Sequence, residues 1–140
     1  MDIKITDYCL IVKDVDRMID FYHGKLGLQI KRRDIGFAEF FTGDTILCLW
    51  EAEDLKQHLG EDSVSNEGHW FMGAFEFQSG AEVTQAYHEM KSKGVEFLTE
   101  LKFWDWGATA AYFKDPEGYL WEIYAWTGTP YTWDNPTEQK

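Results

Sequence analysis

Glu122 stands in the run Leu120-Trp121-Glu122-Ile123-Tyr124-Ala125-Trp126, a carboxylate with bulky apolar or aromatic neighbours on both sides. In extended backbone the side chains alternate, so Leu120, Glu122 and Tyr124 share one face and Trp121, Ile123 and Ala125 the other. An acid in that setting has three chemical readings. It moves a proton, it seats a cation, or Trp and Tyr donors hydrogen-bond it and it serves the fold. Trp50 shares a face with Cys48, and Trp104 and Trp106 fall in a loop just ahead of the last two strand-like runs. Aromatic walls beside a carboxylate suit a flat or cationic organic ligand through stacking and cation–π contact. Cores and subunit interfaces use Trp as well, and Trp121, opposite in face to Glu122, reads as core. Glu76 has the parity of Met72 in the run 70–78, where it adds charge to a site or lies at a sheet rim.

The elements that must position these groups follow from pattern. Residues 110–126 read as strand, tight turn, strand, with Asp115-Pro116-Glu117-Gly118 supplying turn chemistry. Residues 5–12 alternate as a strand, with Asp7, Cys9 and Ile11 on one face and Tyr8, Leu10 and Val12 on the other. Asp14 is placed as the N-cap of an amphipathic helix carrying Met18, Phe21, Tyr22 and Leu26, with Gly24 and Gly27 as stops. Strands are expected at 28–33, 37–41 and 45–50, then a short helix at 52–59 and a loop at 61–68. The pattern returns with a strand over 70–78. A capping box at Ser79 and Glu82 opens a helix carrying Val83, Ala86, Tyr87 and Met90, which ends at Gly94. A strand near 95–101 precedes the closing hairpin. Asp14 and Ser79, like Tyr22 and Tyr87, are 65 residues apart, so one strand–helix–three-strand unit occurs twice. One such unit is marginal alone, and two can wrap into a curved sheet of about eight strands.

Composition bounds the partners. A chain of 140 residues is one ordinary domain, and 25 acidic against 13 basic residues leave a net charge of −12. Nucleic acid and anionic membrane both need a positive footprint, so neither is expected as a partner. No apolar run is long enough to span a bilayer, and no signal segment is read at the start. Cys9 and Cys48 read as reduced core or pocket residues of a cytosolic protein. No nucleophilic triad, phosphate loop or paired CxxC is present.

KDVDRMIDFYHGKLGL (13–28) resembles the first-module signature of the vicinal oxygen chelate superfamily, which includes glyoxalase I, bleomycin-resistance proteins and extradiol dioxygenases. WGATAAYFKDPEGYLWEI (106–123) resembles its closing hairpin. The likeness covers about residues 3–126 and implies an α+β fold of two tandem βαβββ modules forming a curved mixed sheet with a concave cleft and outer helices. Module one then spans about 3–52, a connecting segment 53–68, module two about 69–126 and a C-terminal arm 127–140. Commonly such proteins are homodimers. Metal-dependent relatives place His or Gln early and Glu late in each module. Those positions here are Asp7, Cys48, Met72 and Glu122, a set of mixed hardness without imidazole. No metal ligand is therefore assigned, although two carboxylates can hold a divalent ion when substrate or water completes the shell. His23, His58, His69 and His88 read as surface or capping residues, with His69 nearest the Met72 position. Glu51 repeats the Leu-Trp-Glu of 120–122 but falls on the wrong parity.

These readings converge on a small-molecule-binding protein of the glyoxalase/bleomycin-resistance type, with an aromatic or cationic ligand held by Asp7, Cys9, Cys48, Trp50, Met72, Trp106, Glu122 and Tyr124. The alternative is a glyoxalase-like lyase or isomerase in which Glu122 is the base and Asp7 assists, with or without a divalent metal. A third reading is a partner-binding subunit whose cleft is filled by its own side chains.

Overall fold

The computed structural model describes residues 1–2, 5–64 and 71–128; His69 and the arm from 129 onward lie outside them. The chain divides into two compact units, Met1–His69 and Trp70–Lys140. In the first, the order is β1 (Asp7–Val12), α1 (Val15–Ile19), a π-helical turn (Asp20–Lys25), β2 (Ile30–Asp34), β3 (Phe37–Thr42), β4 (Thr45–Glu51) and α2 (Ala52–Leu59). In the second it is β5 (Met72–Glu76), α3 (Gly80–Ser92), β6 (Lys102–Phe103), β7 (Ala108–Lys114) and β8 (Leu120–Trp126). The sheets have the same topology, β1-β4-β3-β2 and β5-β8-β7-β6, with the leading strand parallel to the last and the others antiparallel. The fold is α+β with tandem βαβββ modules. Among the described residues, no helix is long and apolar enough to cross a membrane.

In each unit one sheet face packs on its helix. Leu10, Val12, Ala38, Phe40, Leu47 and Leu49 are buried with Met18, Phe21 and Tyr22. Their counterparts Ala111, Phe113, Trp121 and Ile123 are buried with Val83, Tyr87 and Met90. Full burial of one such large side chain stabilises by about 1.5–3 kcal/mol, so this face fixes the register. Trp121 lies under the second sheet as core, stacked on Phe75 at 4.7 Å. Gly73 makes that possible, because a Cβ there would stand 2.1 Å from the indole.

Both helix starts are capped as the sequence requires. Asp14 Oδ1 accepts the Arg17 N–H at 3.1 Å, and Ser79 Oγ accepts the Glu82 N–H at 3.1 Å. Glu82 reaches one residue further back than a capping box prescribes, accepting the N–H of Gln78. Glu51, rejected as a site residue on parity, accepts the Val15 N–H at the start of α1.

Three local expectations are corrected. The first helix does not run as one α-helix to Leu26. After Ile19 it widens, and the Leu26 N–H donates five residues back to Phe21. The wider turn keeps adjacent Phe21 and Tyr22 both in the core. Gly24 lies inside it rather than ending it, while Gly27, with φ +76°, is the stop. The strand expected at 28–33 is Ile30–Asp34, because the Leu28 N–H is taken by the Tyr22 carbonyl. The strand expected at 95–101 is displaced to the two residues of β6. Upstream, Phe97 makes a single bridge to Phe113, and Thr99 Oγ1 rather than backbone accepts the Tyr112 N–H at 3.0 Å.

The closing hairpin forms as expected. Asp115 is buried, its Oδ1 accepting from the N–H groups of Glu117 and Tyr119, and Gly118 adopts φ +96°. The helix expected at 52–59 is α2 with those bounds.

Candidate functional site

The face of each sheet turned away from its helix carries the chemistry. In the first unit, register sets Cys9 of β1 opposite Cys48 of β4 and Glu39 of β3 opposite Cys48 on its other side. Asp7 lies one pleat along from Cys9, and Ile11, Trp50 and Phe37 form the next row. Donor atoms of Asp7, Glu39 and Cys48 all fall within 4.8 Å of one another. The Cys48 thiol donates to Asp7 Oδ1 at 3.8 Å. Burial, then the neighbouring Cys9, Glu39 and Asp7, push its pKa up to about 12. Burial and the Asp7 charge push Cys9 to about 11. Both are neutral thiols near pH 7, poor nucleophiles and poor ligands.

Glu39 is neutralised within the chain. A register shift between Ile30 and Arg32 lets two successive cations address it, Arg32 Nε at 2.8 Å and Lys31 Nζ at 3.8 Å. Arg32 also lies over the Phe37 ring, 4.9 Å from its centroid. Trp50 donates its indole N–H to Asp54 of α2 at 2.8 Å, so this indole ties the helix to the sheet.

In the second unit the same register sets Met72 opposite Leu120, Ala74 opposite Glu122 and Glu76 opposite Tyr124. Tyr112 of β7 stands across from Glu122 and donates its hydroxyl to Glu122 Oε2 at 2.5 Å. Burial, the hydrogen bond to Glu122 and the Glu122 charge all raise the Tyr112 phenol far above its ordinary value. Burial raises Tyr124 too, followed by Glu76, to which it also hydrogen-bonds, and Glu122. Both phenols therefore stay protonated and act as donors. Beside them, Trp104 stacks on Trp106 at 4.9 Å, meets Tyr112 edge-on at 5.8 Å, and donates its N–H to the Ala110 carbonyl. Met72 is half exposed on the edge strand. Among the described residues, neither Glu76 nor Glu122 forms an ion pair with Lys or Arg.

The structure thus groups the expected residues by unit. Asp7, Cys9, Cys48 and Trp50 share one open face, and Met72, Glu122 and Tyr124, with Trp106 alongside, share the other. Sequence reasoning missed Glu39 and Tyr112, each directly across from the late position of its module. The signal was present for Glu39, an acid between Phe37 and Phe41 in the alternation of β3, just as Glu122 stands out in β8. His23 and His58 bond locally, each donating from Nδ1 to a backbone carbonyl, that of Leu28 and that of Asp54.

A divalent ion would meet an obstacle on each of these faces. In the first unit it would have to displace a proton held to about pH 12 and break two ion pairs of Glu39. In the second, Glu122 is the sole strong donor of its row, flanked by Ala74 and already bonded by Tyr112. The donor set of neither face fits a resident divalent ion.

Comparison with known proteins agrees with this architecture. A family model described as Glyoxalase/Bleomycin resistance protein/Dioxygenase superfamily matches residues 4–123. The chain is 33% identical to the uncharacterised protein YraH of Bacillus subtilis (strain 168) over 127 residues, 86% of this chain and 97% of that one. A crystal structure of a glyoxalase/bleomycin resistance protein/dioxygenase from Nocardioides superposes with TM-score 0.83 at 34% identity, covering 94% of this chain and 90% of that chain. Lactoylglutathione lyase from Agrobacterium tumefaciens shares the fold, with TM-score 0.73 at 20% identity over 87% of this chain and 92% of that chain. With the repeated βαβββ topology and the closing Asp-Pro-Glu-Gly hairpin, these matches make the chain a member of the glyoxalase/bleomycin resistance protein/dioxygenase (vicinal oxygen chelate) superfamily.

Proposed function

We propose that this is a cytosolic, homodimeric small-molecule-binding protein of the glyoxalase/bleomycin-resistance type, and that its ligand is an aromatic or cationic organic compound seated on the open face of the second unit. One observation carries the reading: among the described residues, Glu76 and Glu122 are held by phenols and not by Lys or Arg, beside Tyr112, Tyr124, Trp104 and Trp106. Phenol donors fix the carboxylates and leave their charge uncompensated, which is what a cationic guest requires. The Glu39 charge of the first unit is already cancelled.

The test is a thermal-shift screen of organic cations and neutral aromatics, since a ligand that binds only the folded state raises Tm. Cations are expected to stabilise the wild type, and Glu122→Gln to abolish most of the shift. A panel that shifts neither protein, or shifts both equally, removes the reading. Sedimentation of the full chain should give twice the monomer mass.

A second reading has its own support. Tyr112 orients one oxygen of Glu122, and a carboxylate so held is positioned to take a proton from a bound carbonyl compound, as a glyoxalase-like lyase or isomerase requires. Its signature is exchange of a substrate C–H proton with solvent deuterium that Glu122→Gln stops.

A further inference from the structure

We propose that Lys102 is an internal cation that occupies the Trp104 face in the ligand-free protein and yields it to an organic ammonium. This rests on the cation-seat reading above and adds the device that regulates it. Lys102 Nζ stands 3.9 Å from the Trp104 ring centroid, the shortest of the three cation–π approaches among the described residues. Trp106 is stacked nearly parallel on the same indole at 4.9 Å and 19°, so one face of Trp104 is covered and one remains for a cation. Register places Lys102 opposite Ala110, Ala110 opposite Tyr124, and Tyr124 opposite Glu76. The ammonium therefore belongs to the row that carries one of the two phenol-held carboxylates, and the Trp104 ring stands perpendicular to that of Tyr112, which holds the other.

The position of Lys102 is informative because the charge had alternatives. In a chain of net charge −12, its ammonium forms no carboxylate pair among the described residues, and it lies on an indole instead. Contact of this kind at an exposed position is weak, and the side chain is a flexible tether on a two-residue edge strand. A tethered weak cation on an aromatic face is a competitor that a better-fitting cation displaces. Lys102 then swings into solvent at little cost, and its departure removes the one positive charge from the ring. Recognition of a quaternary ammonium exploits the same physics without needing a hydrogen bond.

The experiment follows the Trp104 indole N–H, assigned through Trp104→Phe, by 1H–15N correlation spectra of the full chain during titration with benzyltrimethylammonium. Benzyl alcohol serves as the uncharged probe. Lys102→Met is expected to bind the cation two- to fivefold more tightly than wild type, the factor set by an exposed cation–π contact. Lys102→Arg should behave as wild type, and benzyl alcohol should not distinguish the three. Lys114→Met controls for the general field, removing an exposed charge one strand inward, and should tighten binding less than Lys102→Met. Equal cation affinity in wild type and Lys102→Met overturns the proposal alone, as does an equal gain in Lys114→Met or a matching gain for benzyl alcohol. No binding of the cation to any of these proteins overturns the seat itself, and the proposal with it. Lys102 is exposed, so an unchanged melting temperature of the variants confirms that they fold.

Discussion

The two open faces are built on one backbone plan and hold opposite chemistry. In equivalent register, Cys9, Cys48 and Glu39 of the first sheet become Ala74, Glu122 and Tyr112 of the second. A thiol next to an acid has become an acid next to a phenol. On the first face Glu39 is held by Arg32 and Lys31 while Asp7 accepts from the Thr6 hydroxyl and the Cys48 thiol, whereas the two carboxylates of the second have no Lys or Arg partner among the described residues. Duplication therefore preserved the packing face and left the solvent-side face free to diverge. That is the division expected where helix packing fixes one side of a sheet and nothing fixes the other.

The widest contrast should appear in thiol chemistry. With Cys48 raised to about 12, its thiolate fraction at pH 8 is lower by roughly a thousandfold than in an unfolded chain, and iodoacetamide labelling of native protein should be slowed to match. Labelling as fast as in urea would mean that the first face is open and polar. The sign for stability follows. A thiol raised in the folded state contributes fully below its unfolded value near pH 8.5, and that contribution is lost as pH climbs toward about 12. Cys48→Ala should flatten the alkaline decline in urea midpoint; an unchanged decline would place its cause elsewhere.

Next is the packing difference beneath the sheets. Position 8 holds Tyr beside Leu47, whereas position 73, 65 residues on, holds Gly beside Trp121. Gly73→Ala should cost about 1–3 kcal/mol by overpacking against the indole, measured by chemical denaturation. A loss under half that would show that Trp121 has room to move. Smaller again is the charge test of the faces. Glu122→Gln should weaken an organic cation about tenfold, roughly 1.4 kcal/mol, while Glu39→Gln changes it less than twofold by isothermal titration. Reversed ranks would put the seat on the first unit. Least divergent are the helix caps, where Asp14→Ala and Ser79→Ala should each lose about 1 kcal/mol, and unequal losses would mark the unit with the weaker helix.

Much of this was written plainly in the chain. The 65-residue spacing of caps and core tyrosines, the alternation that set Trp121 inward and Glu122 outward, and the Asp115–Gly118 turn each depend on local chemistry with one solution. What escaped depends on neighbours far apart in sequence. Glu39 and Tyr112 become site residues only when antiparallel pairing places them across from Cys48 and Glu122. The widened turn after Ile19 answers a core demand for both Phe21 and Tyr22, which a 3.6-residue period does not show. The strand expected at 95–101 failed for a different reason: the Thr99 hydroxyl oxygen accepts the Tyr112 N–H where the pattern assumed a backbone carbonyl.

That last substitution matters for how the protein behaves in a crowd of its own copies. On the outer side of β7, the Tyr112 N–H is received by Thr99 and its carbonyl by the Leu98 N–H. A strand from another molecule would find these two main-chain groups already engaged at the middle of the exposed border, by a stretch too irregular to extend a ladder. Self-association by strand addition is thereby discouraged without a proline or a charged guard at that point. Thr99→Val, which frees the amide, is the change most suited to seeding fibrils there.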